Sequence, residues 1–93
     1  MSNYEKLSPE SIEMCRFEEE HKYNLILHND DVNTFDHVID SLVDICHHDV
    51  IQAEQCAHIV HFKGKCDVKK GEFDELNNMK EQLDNRGLSV TID

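Results

Sequence analysis

Between Tyr23 and Cys46 the apolar residues change period once, within a few positions. Tyr23, Leu25 and Leu27 alternate, which reads as a strand with one face turned inward. From Phe35 onward Phe35, Val38, Ile39, Leu42, Ile45 and Cys46 recur at helical spacing, with Asp36, Asp40, Ser41 and Asp44 on the other side. Asn33 is placed to cap that helix, and Asp36 suits its first turn. A strand that runs almost directly into an amphipathic helix commits the chain to a mixed architecture. It also sets His28-Asn29-Asp30-Asp31 at the junction. Asn and Asp are ordinary turn formers, so by itself the junction is a turn.

The remaining elements follow from the same signals. His47-His48 ends the first helix and Asp49 caps a second, in which Ala53, Cys56, Ala57, Ile59 and Val60 form the apolar side and Gly64 is the stop. Lys65 to Lys70 reads as a short strand. Gly71-Glu72 leads into a third helix carrying Phe73, Leu76, Met79 and Leu83, which Gly87 ends. Leu88 to Ile92 alternates and closes the chain as a strand. The order is β-α-α-β-α-β with no internal repeat. The expected fold class is α+β: a small sandwich of a three-stranded antiparallel sheet with three helices on one face. Residues 1–21, polar and rich in acids, read as a flexible N-terminal extension, and residues 22–93 as a single folded domain.

Charge narrows the function classes. Nine Lys and Arg stand against 20 Asp and Glu, a net charge of −11. Such a surface repels phosphate backbones, so no nucleic-acid partner is expected, and a cationic partner surface suits it better. No apolar run reaches membrane-spanning length, and the first residues lack a signal-peptide pattern, so a cytoplasmic location with no membrane partner is expected. Cys15, Cys46, Cys56 and Cys66 are widely spaced and read as free thiols.

Catalytic and metal chemistry find little support. No Ser sits in a glycine elbow, no glycine-rich phosphate loop occurs, and no Cys has an evidently electropositive setting, so the chain is expected not to be an enzyme and to need no cofactor. "CAHIVH" invites a metal reading. On a helix, however, Cys56 projects about 200° from His58, and no second set of short-spaced ligands stands opposite. A metal-binding or sensor domain using His58, His61 and Cys66 is kept as the alternative reading.

The stretches "YNLILHNDDVNTFDHVID" and "HDVIQAEQCAHIVHFKGK" resemble the ClpS family, bacterial adaptors that deliver N-degron substrates to a Clp protease. The strand running into Asn-Asp-Asp, the helix that begins a few residues later, and a His followed by an aromatic residue and then Gly-Lys occur in matching order and spacing from Tyr23 to Lys65. The family fold has the same element order. The resemblance implies a ClpS-like adaptor domain over residues 22–93 that binds proteins bearing Leu, Phe, Tyr or Trp as a free N-terminal residue. By position, Asn29, Asp30 and His61 would contact the substrate α-amino group. Phe35, Val38, Leu42, Ala57 and Val60 would surround its side chain. The implied partner is a Clp AAA+ unfoldase, ClpA-like or ClpC-like, met by a monomeric adaptor. With a one-residue gap, Glu75 and Lys80 fall where relatives grip that unfoldase. Two positions depart from the family pattern: Phe35 and Ala57 stand where relatives commonly have Met, which implies a pocket of altered shape. A ribosome-stalk-like interaction domain, which shares the fold, would not require Asn29, Asp30 and His61 to converge.

Overall fold

A computed structural model describes residues 22–93. The expected extension, residues 1–21, lies outside the described residues. The elements are β1 (Tyr23–His28), α1 (Phe35–Cys46), α2 (Val50–Lys63), β2 (Lys65–Gly71), α3 (Phe73–Asn85) and β3 (Ser89–Ile92). The sheet has the order β2-β1-β3, and β1 pairs antiparallel with both neighbours. The expected α+β sandwich is the fold found.

Strand β1 is central because its sequence tolerates burial. Leu25 and Leu27 face the helices and are fully buried, and Val68 and Val90 extend the same apolar face onto β2 and β3. Leu42, Ile45 and Cys46 of α1, Ala53, Cys56 and Val60 of α2, and Leu76, Met79 and Leu83 of α3 close over it as one core. Tyr23 continues this inward side to the sheet's end, where its ring meets Phe73 edge-on at 5.5 Å.

Several local readings need correction. Thr34, not Asn33, caps α1: its hydroxyl accepts from the His37 backbone N–H at 3.1 Å. Ser41 is fully buried rather than on the polar side. It lies three residues after Val38 and four before Ile45, so it shares their face, and its small side chain fits among them. Ile59 is the converse, being 40% exposed although it was grouped with the apolar side of α2. Asp49 caps α2 as expected, accepting from Gln52 N–H at 2.8 Å. Gly64 ends α2 with φ 95°, in the left-handed region that glycine enters without a Cβ penalty.

The corner between α1 and α2 is tied to the sheet by a histidine. His47 takes the left-handed conformation, φ 62°, and turns the chain so that His48 points inward and is buried. The register of β1 against β2 slips between Leu25 and Ile26, leaving Val68 as the extra residue of a bulge. His48 Nε2–H donates to the Val68 carbonyl at 2.6 Å, so the bulge's carbonyl has a partner. Lys69 Nζ donates to the Cys46 carbonyl at 3.4 Å, placing a cation at the C-terminus of α1.

Two further hydrogen bonds gather distant segments at one end of the molecule. Asn29 N–H donates to the Gly64 carbonyl at 2.9 Å, which joins the exit of β1 to the end of α2. The Asn33 side chain donates to the Gly87 carbonyl at 2.9 Å, which joins the β1–α1 turn to the α3–β3 turn. Among the described residues no helix is long and apolar enough to cross a membrane.

Candidate functional site

A cavity of about 50 Å³ opens at this gathered end. Its buried wall is apolar: Leu27 from β1, Ala57 and Val60 from α2, and Leu88 just before β3, with half-buried Val38 of α1 beside them. Its rim is polar and aromatic: His28, Asn29, Asp30 and Asn33 on one side, Phe35 and His61 on the other. The ordering of sequence into elements explains this division. The end of β1 delivers the polar turn, the first turn of α1 delivers Phe35, and the last turns of α2 deliver Ala57, Val60 and His61.

Asp30 organises the turn. Its Oδ1 accepts from the backbone N–H of Val32 at 2.9 Å and of Asn33 at 3.0 Å. The Asn33 amide adds bonds to Oδ1 at 3.1 Å and to Oδ2 at 2.9 Å. Partial burial pushes the Asp30 carboxyl up, but the backbone donors Asn33 and Val32, the Asn33 side chain and the nearby His37 outweigh it, so Asp30 lies below its ordinary value. A carboxylate offers about four lone-pair sites. Oδ2 has accepted one bond and retains capacity, and Asp30 lines the cavity. Asp30 therefore serves the turn and leaves a negative acceptor at the rim.

The side chains of Asn29 and His61 are exposed and have no hydrogen-bond partner among the described residues. His61 does not sit in the core. Its ring meets Phe35 at 5.4 Å and 81°, edge to face. An amide oxygen, a carboxylate and an imidazole thus surround an apolar recess. Such a set suits one small cation attached to an apolar group.

Of the residues singled out in the sequence, Asn29, Asp30, His61, Phe35, Val38, Ala57 and Val60 all line this cavity. Leu42 does not: it has no exposed surface and belongs to the core. Glu75 and Lys80 lie on α3, outside the cavity lining. Five residues separate them, which turns them about 140° apart around a helix. Lys80 pairs with Asp84 at 2.9 Å, and the Glu75 carboxylate folds back over Gly71. Leu27, His28, Asn33 and Leu88 line the cavity without having been singled out. Asn33 carried a readable signal, a side chain able to bond backbone across a turn, but it was assigned to the helix cap. Leu88 carried none, because its place depends on the fold as a whole.

The alternative metal reading is not supported. Among the described residues no group of three or more His, Cys, Asp or Glu side chains is placed to hold a metal ion. His58 sits on the outer side of α2 against Phe35, whereas Cys66 packs against the core and donates to the Asp67 carbonyl.

Comparison with known proteins bears on the family and the fold. The family described as ATP-dependent Clp protease adaptor protein ClpS matches residues 18–91. The ClpS adapter protein of Campylobacter jejuni subsp. doylei is 32% identical over 80 residues, covering 84% of this chain and 82% of its own. That of Campylobacter jejuni subsp. jejuni is 32% identical over 77 residues, covering 81% and 79%. The solved structure of Agrobacterium tumefaciens ClpS2 bound to L-phenylalaninamide superposes with a TM-score of 0.69 at 19% identity, over 78% of this chain and 95% of that one. At that identity the likeness is one of fold.

Proposed function

The chain belongs to the ClpS family of ATP-dependent Clp protease adaptor proteins, and from that premise we propose how its cavity does an adaptor's work. It is a non-catalytic adaptor that binds N-degron substrates for delivery to the Clp protease. In our reading the cavity takes the first residue of the substrate. Asn29, Asp30 and His61 hold its α-amino group, and Phe35, Val38, Ala57 and Val60 enclose its side chain. The observation that carries this reading is the convergence of those three polar groups on one apolar recess.

The chemistry supports it. An α-ammonium has three donors and cannot be buried without acceptors. The Asn29 carbonyl, Asp30 Oδ2 and a neutral His61 nitrogen supply three. Bonds to charged groups contribute about 1.5–3 kcal/mol each, and the apolar side chain adds burial. Association entropy offsets much of that sum, leaving the modest affinity that a carrier needs for release. The cavity, about 50 Å³, is open at its rim, and a benzene-sized ring, which fills cavities nearer ~150 Å³, would need the rim side chains to move outward. A solved structure that shares this fold, that of Agrobacterium tumefaciens ClpS2, holds L-phenylalaninamide, an aromatic residue with a free amino group, and a ligand of that chemical kind is proposed here.

The partner in this reading is a Clp AAA+ unfoldase, ClpA-like or ClpC-like, met by a monomeric adaptor in the cytoplasm. Exposed Glu75 and half-exposed Lys80 on α3 are the proposed contacts. The test of the pocket is a titration with a Leu-starting peptide and its N-acetylated twin. Acetylation removes the charge and two of the three donors. It also leaves Asp30 facing a desolvated group without an ion partner. Binding of the free peptide alone is expected, and equal affinity for both would refute the assignment.

A further inference from the structure

We infer that Phe35, His58 and Phe62 form an aromatic shelf beside the cavity that takes an aromatic side chain at residue two of the bound N-terminus. The inference rests on the pocket reading above and extends it by one residue of substrate. Four rings make one continuous surface. Phe35 meets His58 at 5.1 Å and 86° and His61 at 5.4 Å and 81°. His61 meets Phe62 at 5.0 Å and 80°. His58 and Phe62, one helical turn apart on α2, lie parallel within 6° at 6.3 Å. Phe35 and His61 also line the cavity, whereas His58 and Phe62 carry the surface away from it. Phe62 is 76% exposed and Ile59 beside it 40%. Large apolar side chains exposed side by side are candidates for a contact site.

The shelf's continuity with the cavity says what covers it. A peptide held by its amino group among Asn29, Asp30 and His61, with its first side chain in the recess, has its second residue at the rim. Successive side chains of an extended peptide point to opposite sides, so the second cannot share the recess. Adjacent Cα atoms are about 3.8 Å apart, which puts the second side chain within reach of rings that begin at the rim itself. Charge does not decide its chemistry: on α2 Glu54 stands one turn before His58 and Lys63 directly after Phe62, so the rings themselves do. The shelf's open ring faces and edges suit a third aromatic in offset or edge-on contact.

The test uses the full chain and three peptides identical beyond residue two: Leu-Phe, Leu-Ala and N-acetyl-Leu-Ala. Wild type is expected to bind Leu-Phe about two- to tenfold more tightly than Leu-Ala, the range set by aromatic pairs. Phe62→Ala, a change at an exposed position outside the cavity lining, is expected to erase that preference and leave Leu-Ala binding unchanged. Phe62→Tyr is expected to keep the preference. Amino-dependent binding with equal affinity for Leu-Phe and Leu-Ala would overturn the shelf and leave the pocket standing. So would a preference that survives in Phe62→Ala, or a delivery defect in Phe62→Ala with unchanged peptide ranking, which would assign the shelf to the unfoldase. Equal binding of the acetylated peptide would overturn both.

Discussion

The Asn33 side chain holds the Asp30 carboxylate from one side and the Gly87 carbonyl from the other, with 2.9 Å to Asp30 Oδ2 and 2.9 Å to Gly87 O. One amide therefore both orients the rim acceptor and anchors the turn that carries Leu88 to the cavity wall. Asn33→Ala removes a donor that holds Asp30 below its ordinary value. The Asp30 carboxyl should rise, as read by carbon NMR titration of that carboxylate. Because the folded value is depressed, the stability it contributes is present above the unfolded carboxylate value of ~3.9 and is lost as pH falls through the folded one. The variant should therefore lose less stability than wild type across that acid window. It should also bind a Leu-starting peptide severalfold more weakly. An unmoved Asp30 titration would show that the side-chain bond contributes nothing to the rim.

Ala57 is buried in the cavity wall. Ala57→Trp inserts an indole where about 50 Å³ is free, so it should occupy the recess itself. Overpacking costs about 1–3 kcal/mol, a loss that the fold should survive by letting the ring lean out through the opening. Peptide binding should fall at least tenfold while the circular dichroism spectrum stays native. Retained affinity for a Phe-starting peptide would remove Ala57 from the site.

His48 is the buried polar group on which the α1–α2 corner depends. His48→Ala leaves the Val68 carbonyl without its donor and opens a void beneath the bulge. An unsatisfied buried group costs about 1–3 kcal/mol, before any cavity cost. For a domain of this size that corresponds to a fall in Tm of roughly 5–20 °C. Thermal unfolding of the two proteins measures it, and a Tm within a degree of wild type would show that water replaces the imidazole without loss.

The thiols should separate by reactivity. Burial pushes the Cys46 thiol up to about 11, against the opposing pull of Lys69. Burial and the adjoining Cys66 thiol push Cys56 up to about 12. Thiolate is the reactive form, so at pH 8 only about one molecule in a thousand is reactive at a thiol of that first kind. Cys66 is half-exposed. Iodoacetamide labelling followed by peptide mapping should modify Cys66 well before Cys46 or Cys56. Simultaneous labelling of all three would reveal opening of the core on the labelling timescale.

Periodicity sufficed for most elements because their apolar spacing was clear and their stops, as at Asp49 and Gly64, were distinct, whereas β2, with little apolar spacing of its own, was placed by the glycines that flank it. It failed where a small or borderline residue decides a face. Ser41 lies inside and Ile59 outside for reasons of helical angle against particular neighbours, which composition does not reveal. At the site, Asn29, Asp30 and His61 were singled out because they fall on motifs that resemble those of the ClpS family, and all three line the cavity. Leu42 lies in the core and not in the cavity lining, since a helix face can serve core and cavity in successive turns. Asn33 and Leu88 escaped because their roles arise from a contact across 54 residues of chain, between Asn33 and Gly87.

The cavity wall is assembled from the end of β1, the start of α1, the last turns of α2 and the residue before β3, and no single segment holds it. A substrate terminus bound there, as proposed, would have nothing to recognise in an unfolded chain. Any ligand that binds the folded form alone adds to its stability, by about 2.7 kcal/mol at a hundred times the dissociation constant. An adaptor that escorts clients to an unfolding machine is itself exposed to that machine. A loaded adaptor is then harder to unravel than an empty one, and protection ends when the client is taken.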